Sequence, residues 1–283
     1  YFMISKREGM VKDWLAKTKW GDDGVPRIHG YVNSLGAATN RMTHSSPNVA
    51  QVPSSSSPYG DRCRSLFTVK PGYKLVGCDA DGLELRCLAH YMGDVEYAIS
   101  ILEGKKSDGT DIHTLNQKAA GLLTRDQAKT FIYAFLYGAG DAKIGAIVGG
   151  GAKEGKALKL KFLNATPALK KLREGIANAV KERSWIKGVR SPHAALNTLL
   201  QGMGAIVMKY WLIEVTARAD EAGLEWAPSA NVHDEGQFEV LEKDVPEFKK
   251  ICEAAFLVVS DDLKLKCICT GTADSGDTWL ETH

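Results

Sequence analysis

The stretch RDQAKTFIYAFLYGAG, residues 125–140, carries a charged or aromatic side chain at every fourth position. These positions are Arg125, Lys129, Tyr133 and Tyr137. On an α-helix this spacing forms one slowly turning stripe, with two cations leading and two rings following. Such a stripe suits a ligand with a polyphosphate at one end and a flat base at the other. It equally fits an amphipathic core helix with a solvated basic end.

Two further stretches each place an acid where a strand ends. Residues 73–79, YKLVGCD, form a short apolar run that ends in Asp79. Residues 231–235, NVHDE, continue as GQFEVL, which predicts a hairpin with Asp234 at its tip. An aspartate held rigidly at the edge of a cleft is suited to binding magnesium. Taken alone, Asp79 also fits a turn or helix cap, and the His-Asp-Glu triplet fits a solvated turn or half of a hydrolase relay.

In order and spacing, the three stretches resemble the motifs of family A (Pol I-type) DNA polymerases, most of all the replicative enzymes of T-seven-like phages. Residues 125–138 match the Arg-x3-Lys-x3-aromatic-x3-Tyr-Gly pattern of motif B. Residues 79–86, DADGLELR, resemble motif A, and residues 233–235 match motif C. The resemblance implies an α+β right-hand fold with an antiparallel-sheet palm and mostly helical fingers. It places palm at 1–90, with the base of the thumb, and at 191–283, and fingers at 91–190.

The resemblance also assigns roles to single residues. Asp79 and Asp234 would be catalytic metal ligands, joined by the Ala80 carbonyl, and Glu235 would be an accessory acid. Nucleotide-binding residues would be Glu84 (as a steric gate against ribose), His113, Arg125, Lys129, Tyr133 and Tyr137, of which Arg125 and Lys129 also count as catalytic. Primer–template contacts would be Arg41, Gln51, Arg190, Asn197, Gln201 and His233.

The sequence departs from the family pattern at two places. Asp81 stands where the family usually has serine. An extra acid there would alter metal affinity, or it simply faces solvent. Residues 184–193, SWIKGVRSPH, join two elements that the family separates by a longer hairpin. The Gly188-Val189 junction is therefore either a deletion or a point where residues have been omitted.

Other patterns predict secondary structure. Helices are expected at residues 1–15, 141–148, 153–163, 167–180, 194–215 (interrupted by Gly202 and Gly204) and 245–259, and Asp111 is expected as a helix N-cap. Residues 94–109 are interpreted as a charged connection and residues 263–270, LKLKCICT, as a strand. The lysines at 153, 156, 159 and 161 are interpreted as a solvated helix face.

Composition sets broad limits. The chain has 283 residues, and 36 Lys+Arg against 34 Asp+Glu give a net charge of only +2, so any basic surface must be local. The six cysteines have no paired metal-ligand spacing. Without a leader or a long apolar run, we expect the cytoplasm, that of the host cell if the chain is phage-encoded. The start at Tyr1, without an initiator Met, predicts a fragment, and the resemblance implies that the exonuclease domain and most of the thumb lie outside it.

The expected activity is template-directed addition of deoxynucleotides to a primer 3′-hydroxyl. Its partners would be a DNA primer–template, dNTPs, two magnesium ions and a processivity factor bound through the missing thumb. Three alternatives stand beside it. A two-metal nuclease would not need the 125–137 helix, a single-subunit RNA polymerase is disfavoured by Glu84, and a non-catalytic DNA-binding remnant is disfavoured by the intact Asp79, Asp234 and Lys129.

Overall fold

The computed structural model describes residues 2–182 and 194–282. It divides into two compact units. The sheet unit comprises Tyr1–Asp81, Ala205–Leu263 and Cys269–His283, and the helical unit comprises Gly82–Gly204 and Lys264–Ile268. None of the described helices is both long enough and apolar enough to cross a membrane.

The elements are, in chain order, α1 (Phe2–Lys17), β1 (Thr18–Trp20), β2 (Pro26–Ile28), β3 (Tyr31–Asn33), β4 (Thr43–Ser45), α2 (Gly60–Arg64), β5 (Tyr73–Ala80), α3 (Leu83–Met92), α4 (Val95–Leu102), α5 (Ile112–Ala120), α6 (Arg125–Leu136), α7 (Asp141–Ala146), α8 (Ala152–Ala165), α9 (Pro167–Glu182), α10 (Ala195–Glu221), β6 (Trp226–Val232), β7 (Glu235–Leu241), α11 (Val245–Asp262) and β8 (Gly271–Gly276). Short 3-10 turns cover Val49–Gln51, Glu242–Asp244 and Trp279–Thr282. Helix α10 contributes residues up to Gly204 to the helical unit and the rest to the sheet unit.

The centre of the sheet unit is an antiparallel sheet in the order β6-β7-β5-β8. Both faces are covered, which explains why β5 is a continuous apolar run rather than an alternating one. On one face Trp211 stacks on Phe256 and donates its indole N–H to the Cys252 carbonyl at 2.8 Å. On the other, Trp14, Leu75 and other buried side chains form a second core. The predicted α+β class with an antiparallel sheet is confirmed.

The helical unit packs around three phenylalanines. Phe162 meets Phe131 and Phe135 edge-on, with ring centroids 5.1 and 5.4 Å apart, and all three are buried. Phe131 and Phe135 lie on the face of α6 opposite Lys129, so α6 is amphipathic and packs on one side. The predicted helices that correspond to α7, α8 and α9 are confirmed.

Four predictions need correction. Part of the predicted connection at 94–109 is α4, whose N-cap Asp94 accepts a hydrogen bond from the Tyr97 amide. Helix α10 runs uninterrupted, because Gly204 allows close packing: a Cβ there would lie 3.2 Å from the Leu83 side chain.

Residues 263–270 form no strand, although their side chains alternate between exposed and buried. The Cys269 amide donates to the Ser260 hydroxyl at 2.8 Å instead of to a neighbouring strand. Finally, the lysine run is not wholly solvated: Lys159 donates to the Ala139 carbonyl and pairs with Asp141.

Candidate active site

Two aspartates lie side by side at one edge of the four-stranded sheet. Asp79 is the penultimate residue of β5, and the register pairs it with Glu235, the first residue of β7. The Ala80 amide donates a 3.0 Å hydrogen bond to the Asp234 carbonyl, which ties the β6–β7 turn to the end of β5. Asp79 is exposed and Asp234 is half-buried. The predicted hairpin with Asp234 in its turn is confirmed.

The same turn presents His233 to a small cleft. His233 has φ of 60°, the left-handed conformation that tight two-residue hairpin turns use. With Arg41 it lines a cleft of about 10 Å³, whose other lining residues are Met42, Ala205, Met208, Lys209 and Asn231. Lys209 Nζ donates to the carbonyls of Ser34 and Asn40 at 2.7 and 2.8 Å and so holds the loop that carries Arg41. Sequence reasoning missed Lys209, because nothing local distinguishes it from a solvated helix lysine.

Asp81 is bound to the start of β8. Its carboxylate accepts hydrogen bonds from the hydroxyls of Thr270 at 2.7 Å and Thr272 at 3.1 Å. Its amide donates to the Thr270 carbonyl at 2.9 Å. Asp81 therefore joins the end of β5 to β8, which sequence reasoning did not anticipate.

Glu235 is buried beneath the aspartate pair, with 3% of its surface exposed. Its carboxylate accepts hydrogen bonds from the Trp279 indole N–H, at 2.6 Å, and from the Gln237 side-chain amide. The Arg64 guanidinium lies over the Trp279 ring, 4.9 Å from its centroid. Burial lowers the pKa of Arg64, and the nearby carboxylates of Glu235 and Asp79 oppose that shift. Sequence reasoning missed Arg64 and Trp279, since both are distant in the chain from Glu235.

In the helical unit, α6 is fixed at its start. Thr124 and Gln127 form a capping box at its N-terminus. Arg125 pairs with Asp111, the N-cap of α5, at 2.8 Å. Burial of Asp111 would raise its pKa, but Arg125 and further hydrogen bonds outweigh it and lower the pKa to about 2. The guanidinium of Arg125 is thus held in place beside α5.

Three further predicted residues gather along this part of the helical unit. Lys129 is exposed one turn after Arg125, and Tyr133 is half-buried one turn later. The rings of His113 and Tyr133 lie 6.4 Å apart, centroid to centroid. Burial lowers the pKa of His113, and the charge of Arg125 lowers it further. The cationic and aromatic stripe predicted from the sequence is present.

Tyr137 and Glu84 are joined directly. The Tyr137 hydroxyl donates a 2.9 Å hydrogen bond to Glu84 Oε1. Tyr137 is the C-cap residue of α6, and Glu84 lies in the first turn of α3. The hydrogen bond fixes the direction of the Glu84 carboxylate.

The remaining predicted residues are more scattered. Gln51 is exposed at the end of a 3-10 turn in the sheet unit. Asn197 and Gln201 are half-buried, one turn apart on α10, within the helical unit. Arg190 and the Gly188-Val189 junction lie outside the described residues.

The acid pair offers the ligand chemistry of a hard cation. Within residues 2–182 and 194–282, no group of three or more His, Cys, Asp or Glu side chains is placed to hold a metal ion. Magnesium, however, is commonly held by one or two carboxylates together with substrate phosphates and water. The carboxylates of Asp79 and Asp234 and the carbonyl of Ala80 are oxygen ligands of the type that magnesium binds.

Comparisons with known proteins show the family and the fold. Residues 1–192 match the model of DNA polymerase family A. The whole chain is 43% identical to a DNA-directed DNA polymerase of Enterobacteria phage T3 and 44% identical to one of Escherichia phage T7, and it spans 45% of each. The solved POL domain of Pol1 from M. smegmatis, in complex with DNA primer-template and dNTP, is similar with a TM-score of 0.84 and 21% identity. That likeness covers 98% of this chain and 52% of the other, and it shows the shared fold.

Proposed function

The chain belongs to DNA polymerase family A, and on that premise we propose that it carries the polymerising centre of a template-directed DNA polymerase. The reaction joins the primer 3′-oxygen to the α-phosphorus of a deoxynucleoside triphosphate and releases pyrophosphate. We assign the sheet unit to the palm and the helical unit to the fingers. The predicted boundaries between palm and fingers lie near residues 90 and 190, and the boundaries between the two compact units follow Asp81 and Gly204.

The observation that carries the proposal is the juxtaposition of Asp79 and Asp234. Asp79 lies near the end of β5 and Asp234 in the tight β6–β7 turn, and the Ala80 amide donates to the Asp234 carbonyl, so the backbone joins the two residues directly. We assign two magnesium ions to these oxygens. When bound, magnesium would lower the pKa of the attacking hydroxyl and neutralise charge on the phosphates.

The helical unit would bind the incoming nucleotide. We assign the triphosphate to Arg125 and Lys129, with His113 beside them, as positioned cations that favour the charge of the transition state. Asp111 supports this assignment, since its ion pair holds the Arg125 guanidinium in one orientation. Tyr133 would lie beside the sugar and base, where a phenol in place of phenyl favours acceptance of dideoxynucleotides.

Glu84 and Tyr137 would decide which sugar is accepted. A glutamate side chain packed against the sugar leaves no room for a ribose 2′-hydroxyl. The hydrogen bond from Tyr137 supports this role because it orients the Glu84 carboxylate. Tyr137 would also guard the templating base.

The primer–template would be bound through its minor groove. We assign minor-groove contacts to Arg41, Gln51, Arg190, Asn197, Gln201 and His233. Minor-groove acceptors lie at similar places in every base pair, so donors such as Arg41 can test pairing without reading sequence. The shared cleft of Arg41 and His233 supports this part of the assignment. A processivity factor and a host-cytoplasmic location remain predictions.

Extension of a labelled primer on a recessed template tests the function. The chain is incubated with magnesium and either deoxy- or ribonucleotides, beside the variant Asp234→Asn. Templated growth with deoxynucleotides alone, lost in the variant, is expected. Growth with ribonucleotides would move the protein to the RNA polymerases, and DNA binding without any growth would favour a non-catalytic remnant.

A further inference from the structure

Glu235 occupies an unusual position for an acid beside a catalytic centre. It follows Asp234 in the chain and lies opposite Asp79 in the β5–β7 ladder, yet it is almost completely buried. A buried carboxylate is stable only when donors or a cation compensate it. Its surroundings provide both.

The donors to Glu235 come from a layered group of buried side chains. Trp279, itself 3% exposed, donates its indole N–H to Glu235, and its ring meets Phe67 edge-on at 5.4 Å. Gln237 is the second donor, and the Thr282 hydroxyl holds the Gln237 amide oxygen at 3.0 Å.

Gly77 makes room for this arrangement. A Cβ at Gly77 would lie 2.3 Å from the Gln237 amide nitrogen and 2.6 Å from the Thr282 carbonyl.

A cation completes the group. Arg64 is 5% exposed, and its Nε donates to the Pro53 carbonyl at 3.1 Å. Its Nη1 is buried without a hydrogen-bond partner among the described residues. The guanidinium is nevertheless close enough to Glu235 and Asp79 to interact with their charges. Because it lies over the Trp279 ring, one indole links the cation to the carboxylate.

We propose that Trp279 is a positioning residue for the metal-binding aspartates and acts through Glu235. The indole N–H holds the Glu235 carboxylate inside the fold, and this fixes the first residue of β7 against β5. Asp234 and Asp79 flank that point, so both carboxylates keep the separation that a metal ion requires. The proposal rests on the proposed function only in naming the metal; the hydrogen-bonded group is independent of it.

The variant Trp279→Phe separates this role from packing. Phenylalanine keeps an aromatic ring beside Phe67 and Arg64 but removes the N–H, leaving Glu235 with one donor fewer. Trp226→Phe is the matched control. Trp226 also donates its indole N–H to a carboxylate, that of Asp220 at 3.0 Å, in the same unit and away from Glu235.

The first measurement is binding of Mn²⁺, followed by the electron paramagnetic resonance signal of the free ion. Mn²⁺ is titrated into the protein alone, so the measurement needs neither DNA binding nor turnover. Loss of a supporting hydrogen bond commonly weakens metal binding 10- to 100-fold, and we expect roughly 10-fold weaker binding in Trp279→Phe. Trp226→Phe should bind as the parent does. Equal affinity of Trp279→Phe and the parent would overturn the proposal.

Primer extension by the same proteins tests the function separately. We expect kcat of Trp279→Phe to fall by about the same factor at limiting magnesium, to recover at high magnesium, and KM for dNTP to stay unchanged. Absence of extension by the parent would refute the proposed function without affecting the Mn²⁺ comparison. Should Trp279→Phe fail to fold, Thr282→Val, which removes only the hydroxyl that holds Gln237, is expected to weaken Mn²⁺ binding about threefold, and unchanged binding would overturn the proposal.

Discussion

The β6–β7 turn and helix α6 both carry residues of the candidate site, but they are stabilised by different kinds of interaction. Helix α6 is stabilised by its own neighbours in the chain: Thr124 and Gln127 cap it, and its stripe repeats every turn. The turn bearing Asp234 depends on side chains far away in sequence, such as Trp279, 44 residues beyond Glu235. Local support is visible in a sequence pattern, whereas distant support becomes visible only in the folded chain.

The largest expected effect falls on the turn. Asp79→Asn or Asp234→Asn keeps the shape of the side chain but removes the negative charge that binds the metal. We expect primer extension to fall at least about 10³-fold, measured in single turnover, with the melting temperature nearly unchanged. Asp274→Asn, an exposed acid on β8 of the same sheet, is the control and should retain full activity.

A smaller effect is expected on α6. Lys129 is exposed, so Lys129→Ala should leave stability unchanged while removing a cation from the phosphate site. We expect kcat/KM for dNTP to fall about 10²-fold. Lys153→Ala, an exposed lysine on α8, serves as the control. Similar losses in both variants would mean that general surface charge, rather than the α6 stripe, attracts the nucleotide.

The ion pair between α5 and α6 gives a pH-dependent prediction. The pKa of Asp111 is about 2 in the folded chain against an ordinary 3.8, so folding favours the ionised form. A difference of nearly two pKa units corresponds to about 2 kcal/mol, present above about pH 4 and lost as the pH falls towards 2.

Urea unfolding at several pH values measures it. Asp111→Asn should be destabilised at pH 6, and the difference from the parent should shrink as the pH is lowered. Asp108→Asn, which replaces an exposed acid in the preceding loop, should show a much smaller difference. A difference for Asp111→Asn that is independent of pH would contradict the ion pair.

The smallest effect tests how local the support of α6 is. Thr124→Ala removes the side-chain cap of the helix and should cost about 1 kcal/mol of unfolding free energy. Thr130→Ala, an exposed position within the same helix, removes no cap and should be neutral or slightly stabilising. If both changes proved neutral, packing rather than capping would hold the start of α6.

The contrast also explains what the sequence could predict. Strand β5, helix α6 and the β6–β7 hairpin could be predicted, because the periodicity of apolar residues, the spacing of side chains and the turn residues are all local in the sequence. Strand β8, Gly271–Gly276, was not, since GTADSG has Thr272 as its single strand-forming residue and is extended because it pairs with β5. Residues 263–270 carry the stronger strand signal but pair with no strand in the described part of the chain.

The candidate site divides in the same way. Asp79, Asp234 and Lys129 were selected through the resemblance to the family motifs, and their roles stay predictions. The ion pair of Arg125 with Asp111 and the attachment of Asp81 to Thr270 and Thr272 could not be derived, because each joins separate elements.

The placement of the Trp279–Thr282 turn has a consequence for synthesis on the ribosome. Asp79, Lys129 and Asp234 are all translated before Trp279, the residue that would hold Glu235 in place. A nascent or truncated chain that stops short of Trp279 would contain every motif and still lack the support of its acid pair. Completion of the centre would therefore wait until Trp279 has been translated, and copies that stop short of it would bind metal weakly.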